Sequence, residues 1–193
     1  MAYATYTTDA LVCGTFDRNT ADRSYLLFTR EAGMLYADAR SAREERSRQR
    51  YSLQDFTLVR VSLVKGKTGW KVGSIQALNN FYHDAADQAA RGSVVSVFRL
   101  LRRFFKGEEA APELFDYVVQ SVQKLSQGQA DRAFLQMLIQ VHILAELGYV
   151  DSQLLPKALQ NRTLESLDTT HYSEADERVI EQVYSQAISV SHL

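Results

Sequence analysis

The chain has 193 residues, 46% hydrophobic and 23% charged, enough apolar material for one large or two small cored domains. No run approaches the roughly 20 apolar residues that span a bilayer. The N-terminal residues lack the basic and apolar regions of a signal peptide, and the lone cysteine, Cys13, excludes an internal disulfide and a cysteine-built zinc site. The formal net charge of −1 hides a division: residues 1–106 hold 17 Lys and Arg against 10 Asp and Glu, net +7, and residues 107–193 hold 5 against 13, net −8.

Thr8 to Cys13 is apolar and β-branched, and Arg23 to Thr29 is a second short apolar run. Gly33 allows a tight turn into a third strand, Met34 to Ala39. The clearest strand is Phe56 to Lys65, in which Val59, Val61 and Leu63 alternate with Arg60, Ser62 and Val64. A glycine-containing connection, Lys65 to Gly69, leads into Trp70 to Ala77. Five short strands in fewer than 80 residues predict a small closed or partly open barrel.

The period then changes. Val94, Val97, Phe98, Leu101 and Phe105 form the apolar stripe of a helix ended by Gly107. Pro112 and Glu113 suit the first turn of a second helix carrying Phe115, Val118, Val119, Val122 and Leu125, with a break at Gly128. Ala133 to Leu147 is a strongly apolar helix, central to the core, with Gly148 as its left-handed cap. Residues 151–172 are irregular, with one short helix near Leu154 to Leu159. Ser173 and Asp176 form a cap pair for a last helix bearing Val179, Ile180, Val183, Tyr184 and Ile188. The fold class is α+β: a β domain over residues 1–78, then an all-α domain over 79–193.

Three features bear on function. Arg40 to Arg50 holds five arginines (Arg40, Arg43, Arg46, Arg48 and Arg50) and two glutamates between two strands, where a loop is expected. Arginine grips phosphate through two parallel hydrogen bonds and stacks on bases, so a basic loop beside a small barrel suits a single-stranded nucleic acid. The plainer reading is a solvated loop. Lys65, Lys67 and Lys71 flank the next connection within an acid-free stretch between Asp55 and Asp84, which extends the positive surface. Trp70, Tyr36 and Tyr51 are candidate stacking platforms, with a core position equally open to Trp70.

Arg99, Arg102, Arg103 and Lys106 stand at i, i+3, i+4 and i+7 on one helical face, with Phe104 near its border. They suit an acidic peptide, a phosphate backbone or simply solvent. The positive surface is therefore expected to run from the arginine loop to Lys106. The histidines His83, His142, His171 and His192 show no metal-ligand spacing, and His142 reads as a core residue. No nucleotide-binding glycine loop or nucleophile motif is present. No cofactor and no catalytic residue is expected, and Asp22-Arg23 reads as structural.

The ordered segments Thr8-Asp9-Ala10-Leu11-Val12, Ala21-Asp22-Arg23, Leu26-Leu27-Phe28-Thr29-Arg30-Glu31-Ala32-Gly33, Ala39-Arg40-Ser41-Ala42-Arg43, Ser47-Arg48, Leu53-Gln54-Asp55-Phe56 and Lys65-Gly66 resemble the RecO family of bacterial recombination mediators. Glu113-Leu114-Phe115 and Leu144 to Tyr149 resemble its helical patterns. The likeness is close over residues 7–78 and looser over 79–150. It implies an N-terminal five-stranded OB-fold, binding of single- and double-stranded DNA, annealing of complementary strands, and help in loading RecA. It also implies partnership with a RecR-like protein and with the acidic tail of the single-stranded-DNA-binding protein, in a cytoplasmic, nucleoid-associated setting with no membrane. Ser41 stands where the family often has glycine, the four-cysteine zinc element of many members is missing, and the chain is shorter than usual. A rival reading is a protein-interaction module whose helical half binds an acidic peptide tail beside a structural barrel.

Overall fold

A computed structural model of the chain describes residues 5–44, 46–128, 131–160 and 167–190, and for Arg48 and Val190 the backbone only. Five strands come first: β1 (Thr5–Asp17), β2 (Arg23–Thr29), β3 (Gly33–Ala39), β4 (Thr57–Gly66) and β5 (Gly69–Asn80), with a short helix α1 (Arg48–Ser52) between β3 and β4. The helices α2 (Gln88–Phe104), α3 (Pro112–Ser126), α4 (Arg132–Glu146), α5 (Lys157–Gln160) and α6 (Glu174–Val190) follow. The described residues form two compact units. The first comprises residues up to Asp84 together with Phe105–Asp116, and the second Ala85–Phe104 together with Tyr117 onwards.

The first unit is a closed barrel in the order β1-β2-β3-β5-β4. All neighbours are antiparallel except β3 and β5, which meet in parallel over only two pairs, Ala37 with Trp70 and Asp38 with Lys71. This is the OB-fold arrangement. The strict alternation in β4 turns Val59, Val61 and Leu63 inward, against Ala10 and Val12 of β1, Tyr25 and Leu27 of β2, and Leu35 and Ala37 of β3. β1 extends beyond the apolar run that marks it in the sequence because it pairs with β4 over its first half and β2 over its second. The segment expected as a plain loop ends in α1, whose five residues are too few to show a period. Ala42 and Leu53, at 0% and 2% exposure, join the barrel core on either side of it.

Beyond the barrel wall, Phe28 packs on Phe105 (ring centroids 4.8 Å) and Phe115 (5.3 Å). Burying side chains of this size stabilises by about 1.5–3 kcal/mol each. Phe105, expected on a helical stripe, thus lies past the end of α2 and belongs to the barrel unit. Gly33 permits this covering strap. Its φ is +65°, and a Cβ there would overlap backbone atoms of Gly107 and Glu109. The Met34 N–H donates to the Gly107 carbonyl at 2.9 Å.

In the second unit α4 packs against both α2 and α6. Leu135, Leu138, Ile139, Val141, Ile143 and Leu144 of α4 are all buried, so this helix is central as the sequence predicts. Gly148 (φ +77°) ends it, with the Tyr149 N–H donating to the Leu144 carbonyl at 2.8 Å. The Ser173 hydroxyl donates to Asp176 Oδ2 (2.7 Å) and accepts from the Asp176 N–H (3.3 Å), closing the expected cap of α6. His142 is a core residue, stacked on Tyr117 at 3.9 Å. No helix among the described residues is long and apolar enough to cross a membrane.

Candidate nucleic-acid interface

OB-folds take oligonucleotides on the β2–β3 face and between the β1–β2 and β4–β5 loops. Alternation along β1 and β3 puts Phe16 and Tyr36 outside the barrel, exposed by 38% and 57%, with ring centroids 5.8 Å apart. Two residues beyond Tyr36 along β3 comes Asp38, and just past the end of β1 comes Arg18, and the two form an ion pair. A strand rises about 6.6 Å over two residues, so the aromatic pair and the charged pair are near neighbours. Arg18 and Asp38 open onto a polar recess of about 400 Å³ also lined by Asp22, Arg40, Thr68 and Lys71. Tyr36 is visible in the sequence as a candidate platform. Phe16 is not, because β1 continues past the apolar run that marks it, and Arg18 lies just past the end of that strand.

The recess is held by a polar hinge. The Asn19 side-chain oxygen accepts from the backbone N–H groups of Ala21 (2.8 Å) and Asp22 (2.7 Å), which closes the β1–β2 turn. Asp22 then accepts from Asn19 Nδ2 (3.0 Å) and from the Ser41 N–H (2.9 Å). These two hydrogen bonds, Asn19's first, hold the Asp22 carboxyl below its ordinary range, with Arg40 and Arg18 adding to the effect. Asp22 is thus structural, as is Arg23, which pairs with Asp17 at 3.0 Å. Ser41 takes φ +52°, the left-handed turn a glycine would make there.

The arginines of the basic segment divide. Arg40 lines the recess and is exposed. Arg43 is tied back: its guanidinium donates to the Asn19 carbonyl at 2.8 Å and lies 3.8 Å from Asp17. Arg46 is exposed, and Arg50 lines a second polar hollow with Thr15, Asp17 and Gln54. The side chain of Arg48 lies outside the described residues. Tyr51, on α1, is 66% exposed and borders a further hollow with Thr57, Leu78 and Asn80.

The acid-free stretch does not give a continuous positive surface, because acids distant in sequence return to it. Arg60 is held by both carboxylate oxygens of Asp9 (2.8 and 3.1 Å). Lys65 Nζ lies 3.3 Å from Glu108 Oε2 and 4.8 Å from the Trp70 ring centroid. The Trp70 indole N–H donates to the same oxygen at 3.1 Å. Trp70 is half-buried against the barrel core, so it is not an open platform. Among the described residues Arg40, Arg46, Arg50, Lys67 and Lys71 make no ion pair.

The second basic set also divides. Arg99, Arg102 and Arg103 are exposed on α2 of the helical unit, where the last two sit in the final turn and complement its dipole. α2 ends at Phe104, so Lys106 lies beyond the helix, in the strap of the barrel unit. Phe104 is buried rather than bordering the surface, with Arg103 over its ring at 5.2 Å.

A closed OB barrel with exposed aromatics beside unpaired cations, joined to a helical unit, defines the class of this chain. Two family models match it: Recombination protein O N terminal over residues 1–81 and Recombination protein O C terminal over residues 87–150. The DNA repair protein RecO of Desulfitobacterium hafniense is 30% identical over 144 residues, covering 75% of this chain and 52% of that protein. The DNA repair protein RecO of Myxococcus xanthus is 29% identical over 145 residues, covering 74% and 59%. The chain belongs to the RecO family, and spans about half the length of the curated relatives it matches.

Proposed function

We propose that this chain is a DNA repair and recombination mediator whose barrel binds single-stranded and double-stranded DNA. In this reading it anneals complementary strands and helps load a RecA-type recombinase onto strands coated with single-stranded-DNA-binding protein. A RecR-like protein and the acidic tail of the coating protein are its partners. The observation that carries the reading is the exposed Phe16–Tyr36 pair beside the unpaired cations Arg40 and Lys71 on the ligand-binding side of an OB-fold. The rings offer a face to any unpaired base, and the cations offer contacts to phosphate, which position a strand without reading its sequence. Annealing follows from the same chemistry, since cations that neutralise phosphates lower the repulsion between two polyanions.

The test is the salt dependence of oligonucleotide binding. Each phosphate neutralised on a single strand contributes about 0.7 to the slope of log K against log salt. The triple variant R40A/R46A/R50A should flatten that slope by about 2, and an unchanged slope would remove these residues from the interface. Arg43→Ala should instead act on the order of the loop, because Arg43 is already engaged by Asn19 and Asp17.

The rival reading, peptide binding, draws on the exposed Arg99, Arg102 and Arg103 and on an apolar groove of about 240 Å³ in the helical unit, lined by Tyr149, Val150, Leu154 and Val183. Titrating a fluorescent acidic peptide beside the oligonucleotide separates the two: peptide binding alone favours the interaction module.

A further inference from the structure

Two donors of different chemistry, the Lys65 ammonium and the Trp70 indole N–H, converge on a single oxygen, Oε2 of Glu108, at 3.3 and 3.1 Å. Such a convergence is an oxyanion site. Lys65 supplies a mobile charge and Trp70 a donor fixed by its packing on the barrel core. Lys65 and Glu108 remain 59% and 49% exposed, so the pair gains little from burial and exchanges readily. Glu108 comes from the strap Phe105–Asp116, held to the barrel by Phe105, Phe115 and the Gly107–Met34 hydrogen bond. The strap's anchorage therefore does not depend on Glu108.

Resting on the proposal that the barrel binds nucleic acid, we propose that Lys65 and Trp70 form a phosphate site for the strand's backbone, and that Glu108 is its internal occupant, displaced when a strand binds. A phosphodiester oxygen and a carboxylate oxygen ask the same of these donors, and both carry negative charge. Occupancy by Glu108 sets a threshold. A strand must supply enough other contacts to displace it, so long strands engage the site and isolated phosphates do not.

The chain has one tryptophan, so its emission reports on this site directly. A labelled oligo-dT strand, followed by anisotropy, reports binding as a whole. Glu108→Gln keeps an acceptor for Trp70 and removes the competing charge. It should tighten oligo-dT binding roughly two- to fivefold, the range of an exposed ion pair, and steepen the salt slope by about 0.7. The gain should vanish in a Lys65→Met background, because the two residues act as a pair. Glu113→Gln removes an equal charge from the same strap without touching the site and should give little gain. Wild-type Trp70 emission should change on binding.

An E108Q gain matched by E113Q, or one that persists with Lys65→Met, overturns the proposal. Anisotropy that shows binding while Trp70 emission stays still overturns it too, and leaves the wider reading intact. No oligo-dT binding by the wild-type protein at about 50 mM salt, where phosphate contacts are strong, overturns that reading itself.

Discussion

Gly33→Ala is the substitution whose cost the structure defines most sharply. Gly33 opens β3 with φ +65°, so an alanine there carries the left-handed penalty of about 1–2 kcal/mol. Its Cβ would also overlap the Glu109 and Gly107 backbone, which is no flexible side chain and yields only if the strap moves. Forcing extra volume into a packed site adds about 1–3 kcal/mol. The total is roughly 2–5 kcal/mol, a large share of the 5–15 kcal/mol typical of a whole protein. Gly107 is the control: its φ is +96° with nothing within 4 Å of an added Cβ, so Gly107→Ala bears strain without overlap. Urea unfolding followed by Trp70 emission reports on the barrel. With a urea slope of about 1–3 kcal/mol per molar, Gly33→Ala should lower the midpoint by about 1–2 M, and Gly107→Ala by clearly less. Equal losses would refute the close approach of strap and barrel.

Phe16→Ala and Tyr36→Ala should each weaken oligo-dT binding by about 5- to 150-fold, the value of one stacked base, and leave duplex binding nearly unchanged. An equal loss on duplex would mean that the rings do not stack on bases. Ser41→Gly should stabilise the barrel by up to about 1 kcal/mol by relieving the left-handed serine, read by the same urea assay; a lower midpoint would refute the turn. Asp22 titrates below its ordinary range because Asn19 and the Ser41 N–H bond its charged form. A depressed folded value gives stability that is present above the unfolded value, about 3.9, and lost as pH falls through the folded one. Asp22→Asn should therefore flatten the acid limb of a thermal-stability profile below about pH 4, and a limb parallel to wild type would remove Asp22 from the hinge.

The barrel was legible because its strands bury one face each. In β4 the inward residues Val59, Val61 and Leu63 alternate with outward ones, and that is a local signal. The centrality of α4 was equally local, since a helix buried on most sides is apolar on most sides. The ends of elements were less legible. Phe105 continues the spacing of the α2 stripe, yet packs on Phe28, some 77 positions earlier in the chain. α1 is shorter than two helical turns, so no period marks it. The candidate site was half legible. Tyr36 and the arginines stand out by residue type, whereas the engagement of Arg43 by Asn19 and of Lys65 by Glu108 joins residues 24 and 43 positions apart. No pattern in a single sequence reports pairings of that range.

Charge shows the same gap between order in sequence and order in space. Cutting the chain after Lys106 yields +7 and −8. Counted over the folded units, the barrel unit holds 13 Lys and Arg against 13 Asp and Glu, net 0, and the helical unit 9 against 10, net −1. The strap makes the difference, because it brings Glu108, Glu109, Glu113 and Asp116 to the barrel while contributing only Lys106. Asp116 meets Arg30 through both carboxylate oxygens, at 2.9 and 2.8 Å. A neutral unit exerts little long-range pull on a polyanion. Its salt dependence must come from local contacts: the unpaired Arg40, Arg46, Arg50, Lys67 and Lys71, with Arg48 as a sixth candidate. Six phosphates on a single strand correspond to a slope of about 4. A measured slope above that must recruit further cations: first Lys65 of the barrel unit, once Glu108 is displaced from it, and only then Arg99, Arg102 and Arg103 on α2. Replacing those three would then return the slope to the barrel's own value.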